Sequence, residues 1–286
     1  MREPSSEGDG GQETSHGDPW PSFLCVRSHV VVTNTLTVVL VTFFAVLALD
    51  VVQVVGPREI PLWSRIYNDG PIEWMQWFFQ AFIIATAAYI GSYLRLRGDD
   101  LEVGRFYWLL ALGVGLMLIE DAGDIRHELA PYIIGLTGPE IVGLPVNLFA
   151  EVPYFMLIAA LPVYAVMRYG RYVWRVPSVR RYLLPAFALY GLAAAASSLR
   201  VLGDTYVRTG YLIDAHVFGG RSPAAPGQTR SESYFYLVDG MLEESMETIA
   251  AACMFAMVLA HAAHLRQREV MAGGPSRGAE RRVSDV

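Results

Sequence analysis

The sequence predicts an all-α, polytopic membrane protein: a six-transmembrane-helix bundle, readable as three helical hairpins, with N- and C-termini cytoplasmic. Three observations carry that prediction. The 286 residues are 53% hydrophobic and only 17% charged, whereas soluble domains carry about 25% charged residues. Mean hydropathy is positive, at +0.33, because the apolar residues fall in long runs. Arginines, finally, are unevenly shared between the segments that join those runs.

A soluble enzyme and a disordered chain are excluded by this composition. The net charge of -6 also excludes a nucleic-acid binder, since no basic surface is available to neutralise phosphates. All 22 basic residues are Arg, which reads as a GC-rich coding bias and places the chain in a bacterial cytoplasmic (inner) membrane. The lipid bilayer is therefore its expected partner, with a protein partner or homo-oligomer left open. The pair Cys25 and Cys253 defines neither a disulfide framework nor a thiolate metal site.

Residues 1–27 are rich in Gly, Ser, Pro and acids and are expected to form a disordered cytoplasmic tail. Their long acidic stretch is unlike a secretory signal peptide. Residues 28–267 form the membrane domain. Its apolar runs extend from Val30 to Val55, Ile72 to Leu96, Phe106 to Asp124, Ile141 to Met167, Tyr182 to Asp204, and Tyr234 to Leu265. Each supplies the ~20 residues a helix needs to cross the hydrocarbon, and all are too long and continuous for the ~10-residue alternating strands of a barrel. The outer loop 205–233 reads as flexible, and residues 268–286 as a second disordered cytoplasmic tail.

Orientation follows from the arginines. With the N-terminus inside, fifteen fall in cytoplasmic segments and six in outer loops, with Arg200 at a membrane edge. A weak internal rhythm accompanies the hairpins, each of which carries an acid on its rising and its descending helix. These pairs are Asp50 with Glu73, Asp124 with Glu151, and Asp204 with Glu243.

The placement of carboxylates relative to apolar length is the informative feature. Thr248 to Ala260 is 13 residues, short of a ~20-residue span, so Glu243, Glu244 and Glu247 are drawn into the outer half of the bilayer. Phe106 to Ile119, 14 residues, draws in Glu120 and Asp121, with Asp124 following. Val152 to Val166, 15 residues, draws in Glu151, while Glu73 sits at the boundary of a full span. A charge at this depth costs ~2.5–3.5 kcal/mol, so these acids must face one another, a cavity or compensating cations. The cations at hand are Arg126 and Arg200, the latter forming an i, i+4 pair with Asp204.

Helical phase groups Glu120, Asp124 and His127 on one stripe, if the helix continues past Gly123, and Asp239, Glu243 and Glu247 on another. Carboxylates with a His at i, i+3 are the ligand types that hold divalent metals in helix bundles. Glu120, Asp124, His127, Glu151, Glu243 and Glu247 are thus candidate ligands of a divalent metal ion, its identity open. Glu73, Asp121, Arg126, Arg200, Asp204 and Asp239 are nearby polar groups, and Glu244 is the candidate catalytic base. At the inner end His29, His261 and His264 read as solvated interface histidines.

Asp69-Gly70-Pro71-Ile72-Glu73-Trp74, the pair Glu120-Asp121 with Arg126, and the pair Glu243-Glu244 together resemble a group of uncharacterised bacterial multi-pass membrane proteins. Those carry an (Glu/Asp)-Gly-x-x-Glu-Trp helix start and paired acids. The resemblance implies that the acids form a unit and carries no activity. CAAX-type intramembrane proteases fit poorly, because Arg126 falls one position late after Glu120-Asp121. Three uses of the acid chamber stay open: a membrane-embedded metal-dependent enzyme, a proton- or cation-coupled transporter, or a partner-binding subunit with a charge-compensated polar core.

Overall fold

A computed structural model describes residues 20–21, 24, 26–52, 62–67, 70–123, 125–138, 140–141, 144–200, 204–221 and 229–272. Helices dominate: α1 (Ser28–Val52), α2 (Leu62–Tyr67), α3 (Pro71–Arg97), α4 (Leu101–Gly123), α5 (Ile125–Thr137), α6 (Val146–Trp174), α7 (Pro177–Leu199), α8 (Thr205–Ile213), α9 (Arg230–Tyr236) and α10 (Glu244–Ala272). Between α5 and α6, β1 (Glu140–Ile141) pairs antiparallel with β2 (Leu144–Pro145), Ile141 opposite Leu144. The fourth apolar run therefore becomes helical only from Val146.

Among the described residues five helices are long and apolar enough to cross a membrane: Ser28–Leu49, Arg65–Arg97, Leu101–Gly123, Glu151–Trp174 and Arg230–Met271. The fifth predicted run forms the 23-residue α7, which is not among these five. Arg180 and Arg181 interrupt its first turns, and Ser197 and Ser198 its last. Phe44, Phe78, Leu157 and Leu184 are exposed on the outer faces, as expected of helices whose solvent is lipid.

The last of these spans is the axis of the molecule. Every residue from Ala250 to Ala262 is buried, and α10 packs against α1, α3 and α7. Its alanines give neighbouring backbones close approach, the usual basis of helix association in lipid. Around it α3 packs on α4 and α4 on α6, where a Cβ on Gly113 would lie 2.5 Å from Pro162 Cδ. Consecutive in the chain, α6 and α7 nevertheless make far less contact with each other than either makes with its other neighbour.

Two segments differ from expectation. The predicted flexible loop 205–233 carries α8, a π-helical turn Asp214–Phe218 and the start of α9, while its residues 222–228 lie outside the described residues. There α8 crosses α9 at Gly210, where a Cβ would come within 2.8 Å of Tyr234 Cα. Within the predicted N-tail, Trp20 and Leu24 are buried. The Trp20 ring packs on Tyr89 and Tyr93, and its Nε1 donates to Glu269 at 2.8 Å. An aromatic residue with that much apolar surface docks rather than staying in water. The rest of the predicted N-tail up to residue 19, and of the C-tail from residue 273, lies outside the described residues.

From Arg230 onward the chain is one rod of 42 residues, Arg230–Met271, interrupted by a π-helical stretch at Leu237–Glu243. Its wider i→i+5 turns change the angle between successive side chains, and such stretches are frequent at functional sites. This one contains Asp239 and Glu243.

Candidate functional site

The start of α3, the end of α4, the start of α6, the end of α7 and the π stretch with the start of α10 meet at one end of the bundle. This is where the predicted acids lie, and the structure divides them by partner. Arg200, capping α7, donates to Glu151 on α6 at 3.0 Å and to Asp239 at 3.3 Å. The Arg200 and Glu151 side chains are only 8% and 3% exposed. The i, i+4 pairing of Arg200 with Asp204 is thus replaced by longer-range bonds: Asp204 is exposed at the head of α8, while the buried acids need the cation more.

Two acids are held by phenols. Tyr154 donates to the buried Glu120. Tyr206 on α8 donates to Glu243 Oε2 at 2.8 Å, and burial, followed by the Glu243 charge, pushes the Tyr206 phenol well above its ordinary value. That phenol stays protonated as a donor across the physiological range.

A third set is lined by amides. Gln76 Nε2 donates to Asp121 Oδ2 at 3.0 Å and to Glu247 Oε2 at 2.9 Å, so one amide nitrogen ties α3, α4 and α10 together. One turn further, Gln80 Nε2 donates to the same Asp121 oxygen at 2.5 Å. Both glutamines are fully buried. Their Oε1 atoms find no hydrogen-bond partner among the described residues, and the Tyr190 hydroxyl of α7 lies beside Gln80. Glu244 lies within electrostatic reach of Glu247, Glu73, Asp121 and Glu243, so this side of the site is dense in carboxylates.

The three acids predicted to share one stripe, Asp239, Glu243 and Glu247, thus reach three different helices through Arg200, Tyr206 and Gln76. The π stretch accounts for this, because four-residue spacing stacks side chains on one face only in an α-helix. Asp50's side chain, Asp124 and the side chains of Arg126 and His127 lie outside the described residues, and with them the predicted Glu120–Asp124–His127 stripe. Among the described residues no group of three or more His, Cys, Asp or Glu is arranged to hold a metal ion. Sequence reasoning, which followed charges, passed over Gln76, Gln80, Tyr154, Tyr190 and Tyr206. Two amides four apart in an apolar run were the available signal for the first pair.

A cavity of about 160 Å³ adjoins the acids. Glu120, Asp121, Glu247 and Tyr190 line one part, and the rest is apolar, including Phe155, Ile158, Phe187 and Met254. Val163 of α6 and Gly191 of α7 line it as well and are exposed on the bundle's outer face. The cavity therefore reaches the lipid-facing side along the loosely packed α6/α7 seam.

At the opposite end, His261 departs from the expected solvated histidine. It is 3% exposed, its ring 5.1 Å from that of the fully buried Tyr107. Ala260, Ala262 and Leu265 beside it on α10 are buried too, and the His264 ring lies 6.0 Å away.

No protein-family model, curated protein or solved structure matches this chain. Fold and site together define an all-helical, multi-pass integral membrane protein with carboxylates gathered at one end of its bundle.

Proposed function

We propose that this is a six-span protein of the bacterial cytoplasmic membrane, with both termini cytoplasmic, that binds an amphipathic, membrane-soluble molecule and acts on its polar head as an intramembrane enzyme. The α6/α7 cavity carries this reading: an apolar passage reaching the lipid-facing surface and ending at Glu120, Asp121 and Glu247. Its walls suit a hydrocarbon chain. The carboxylates suit a cationic or hydrogen-bond-donating head, and charge interactions in such a low-dielectric site are strong. Asp121 and Glu247, both held by one Gln76 nitrogen, would bind and orient the head, with Glu244 beside them as the general base that takes its proton. The arginine count supports the orientation, and α7, lying along α10, supplies the sixth span.

A divalent cation at the same place is the second reading. It is favoured by the buried Gln76 and Gln80 amide oxygens and the Tyr190 hydroxyl beside Asp121 and Glu247, oxygen donors of the kind that hard cations take. In that version the metal would polarise a substrate bond at the outer leaflet.

The test uses the full chain in nanodiscs carrying a phospholipid with a photoreactive acyl chain. Cross-links are expected within Phe155–Val163 and Phe187–Ala194 and should be lost in Gly191→Trp. Position 191 has open space for a side chain, so that variant blocks the passage without disturbing packing. Cross-links spread evenly over all lipid-facing helices, unchanged by Gly191→Trp, would rule out the passage. Elemental analysis of the same preparation beside Glu247→Gln decides between the readings: stoichiometric metal lost in the variant supports the cation, and none in either supports proton chemistry.

A further inference from the structure

We infer that the arginine end of the bundle, remote from the carboxylates, is a binding pocket for a phosphate-type anion. A cavity of about 420 Å³ lies between the starts of α1 and α7 and the last turns of α10. Arg27, Arg181, Arg266 and His264 line it, together with Ser28 and Ser178, and none of its lining residues is acidic. Acids do occur at this end, but they are engaged elsewhere. Glu269 is bonded by Arg97 and by Trp20 Nε1, and Asp100 takes Arg268 at 2.6 Å. Arginines that served only to orient the chain would splay into the headgroups, whereas Arg27 just before α1, Arg181 of α7 and Arg266 of α10 line one concavity.

Two helix starts add to the positive field. Pro177 brings no N–H, and Val30, Val179 and Arg180 donate to the Arg27 and Val176 carbonyls, so the N–H groups of Ser28, His29 and Ser178 are the ones that the helices themselves leave without a partner, and the helix dipole is positive there. Val176, capping α7, offers no side-chain acceptor. Guanidinium groups and hydroxyls around such N–H groups suit phosphate oxygens, which arginine binds in bidentate fashion. The floor is apolar, formed by Leu259, Ala260 and Leu24. The volume exceeds what a bare phosphate fills, so a phosphodiester headgroup with its glycerol is the expected occupant, at the inner-leaflet level where basic pockets between helices bind anionic lipid. The α10 stretch from Glu247 to His264 spans ~26 Å at 1.5 Å per residue, so this pocket is separate from the carboxylate site and does not depend on its reading.

The experiment follows thermal unfolding of the full chain in neutral detergent while phosphatidylglycerol, phosphatidylcholine or inorganic phosphate is added at constant ionic strength. Phosphatidylglycerol should raise the unfolding temperature saturably and phosphatidylcholine should not. In Arg27→Gln/Arg181→Gln the half-saturating concentration should rise roughly tenfold or more. Both arginines are exposed, so an unchanged unfolding temperature without lipid verifies that the variant folds. Arg105→Gln, which removes an exposed arginine paired with Glu102 away from the pocket, should leave the titration unaltered. Saturation by inorganic phosphate that the double variant weakens would also support the site and identify a soluble source. Equal responses to the two lipids, or a double variant that titrates like the parent, would overturn the proposal.

Discussion

Two groups of acids sit side by side at one end of this bundle and are treated in opposite ways. Glu151 and Asp239 are fastened to a single guanidinium, which is always charged and holds both in fixed geometry. Asp121 and Glu247 instead accept from a neutral amide, beside buried amide oxygens of Gln76 and Gln80 that no described residue satisfies. The first arrangement locks α6, α7 and the π stretch together and leaves its charge spent. In the second, carboxylates are positioned by an amide that carries no charge, at the edge of a cavity. The difference teaches that depth alone does not decide how an intramembrane acid is held: one pair meets a cation, the other an amide.

The comparison can be broken most forcefully at Arg200. Arg200→Gln strands Glu151 and Asp239, and is expected to destabilise the protein by about 3–5 kcal/mol, read as a loss in equilibrium unfolding in mixed micelles. Arg200→Leu with Glu151→Leu should recover part of this, because only Asp239, the less buried of the two acids, is then left without its cation. If the single variant unfolds like the parent, the pair is not a fastening. Next in size is Tyr206→Phe, which leaves the buried Glu243 without that donor and should cost about 1–3 kcal/mol. The same residue gives a pH test. A phenol whose value is raised on folding favours the folded state fully below about pH 10 and loses that contribution as pH rises beyond it. The parent should therefore weaken above about pH 10 more steeply than Tyr206→Phe, and equal slopes would contradict the shift. Smallest in stability is Glu247→Gln, expected to change unfolding by less than about 1 kcal/mol, since a neutral amide suits a neutral partner. Loss of turnover or of bound metal in that still-folded variant would sharpen the contrast, and a large destabilisation would erase it.

Much of this was legible in the residues. Counting apolar length before His261, after Glu151 and from Phe106 to Ile119 drew Glu120, Glu151, Glu243 and Glu247 into the bundle, and Glu120, Glu151 and Glu243 are buried while Glu247 lines the cavity. Such counting measures depth along a helix, not which neighbour a side chain meets. Arg200 therefore looked bound to Asp204, four residues on, when its partners lie 49 and 39 residues away. The π stretch was invisible for a related reason: its Asp239-Gly240 sequence is compatible with an ordinary turn of helix, and only packing against α8 and α7 selects the wider one. His261 was misplaced because interface histidines are identified from their position near a helix end, and here Tyr107 of α4 covers it.

The buried axis has a consequence for how the molecule is made. α10 is enclosed over 83% of its apolar window, whereas α1 is enclosed over 22%, and α10 follows every other span in the chain. Synthesis at about 5–20 residues per second leaves the earlier helices in the bilayer for many seconds around an unfilled seam. During that interval Gln76, Gln80 and Asp121 have yet to meet Glu247, and the ring of helices has no centre to close upon. Assembly thus waits on the last hairpin, and the whole acid end comes into being in one step when that helix slides home.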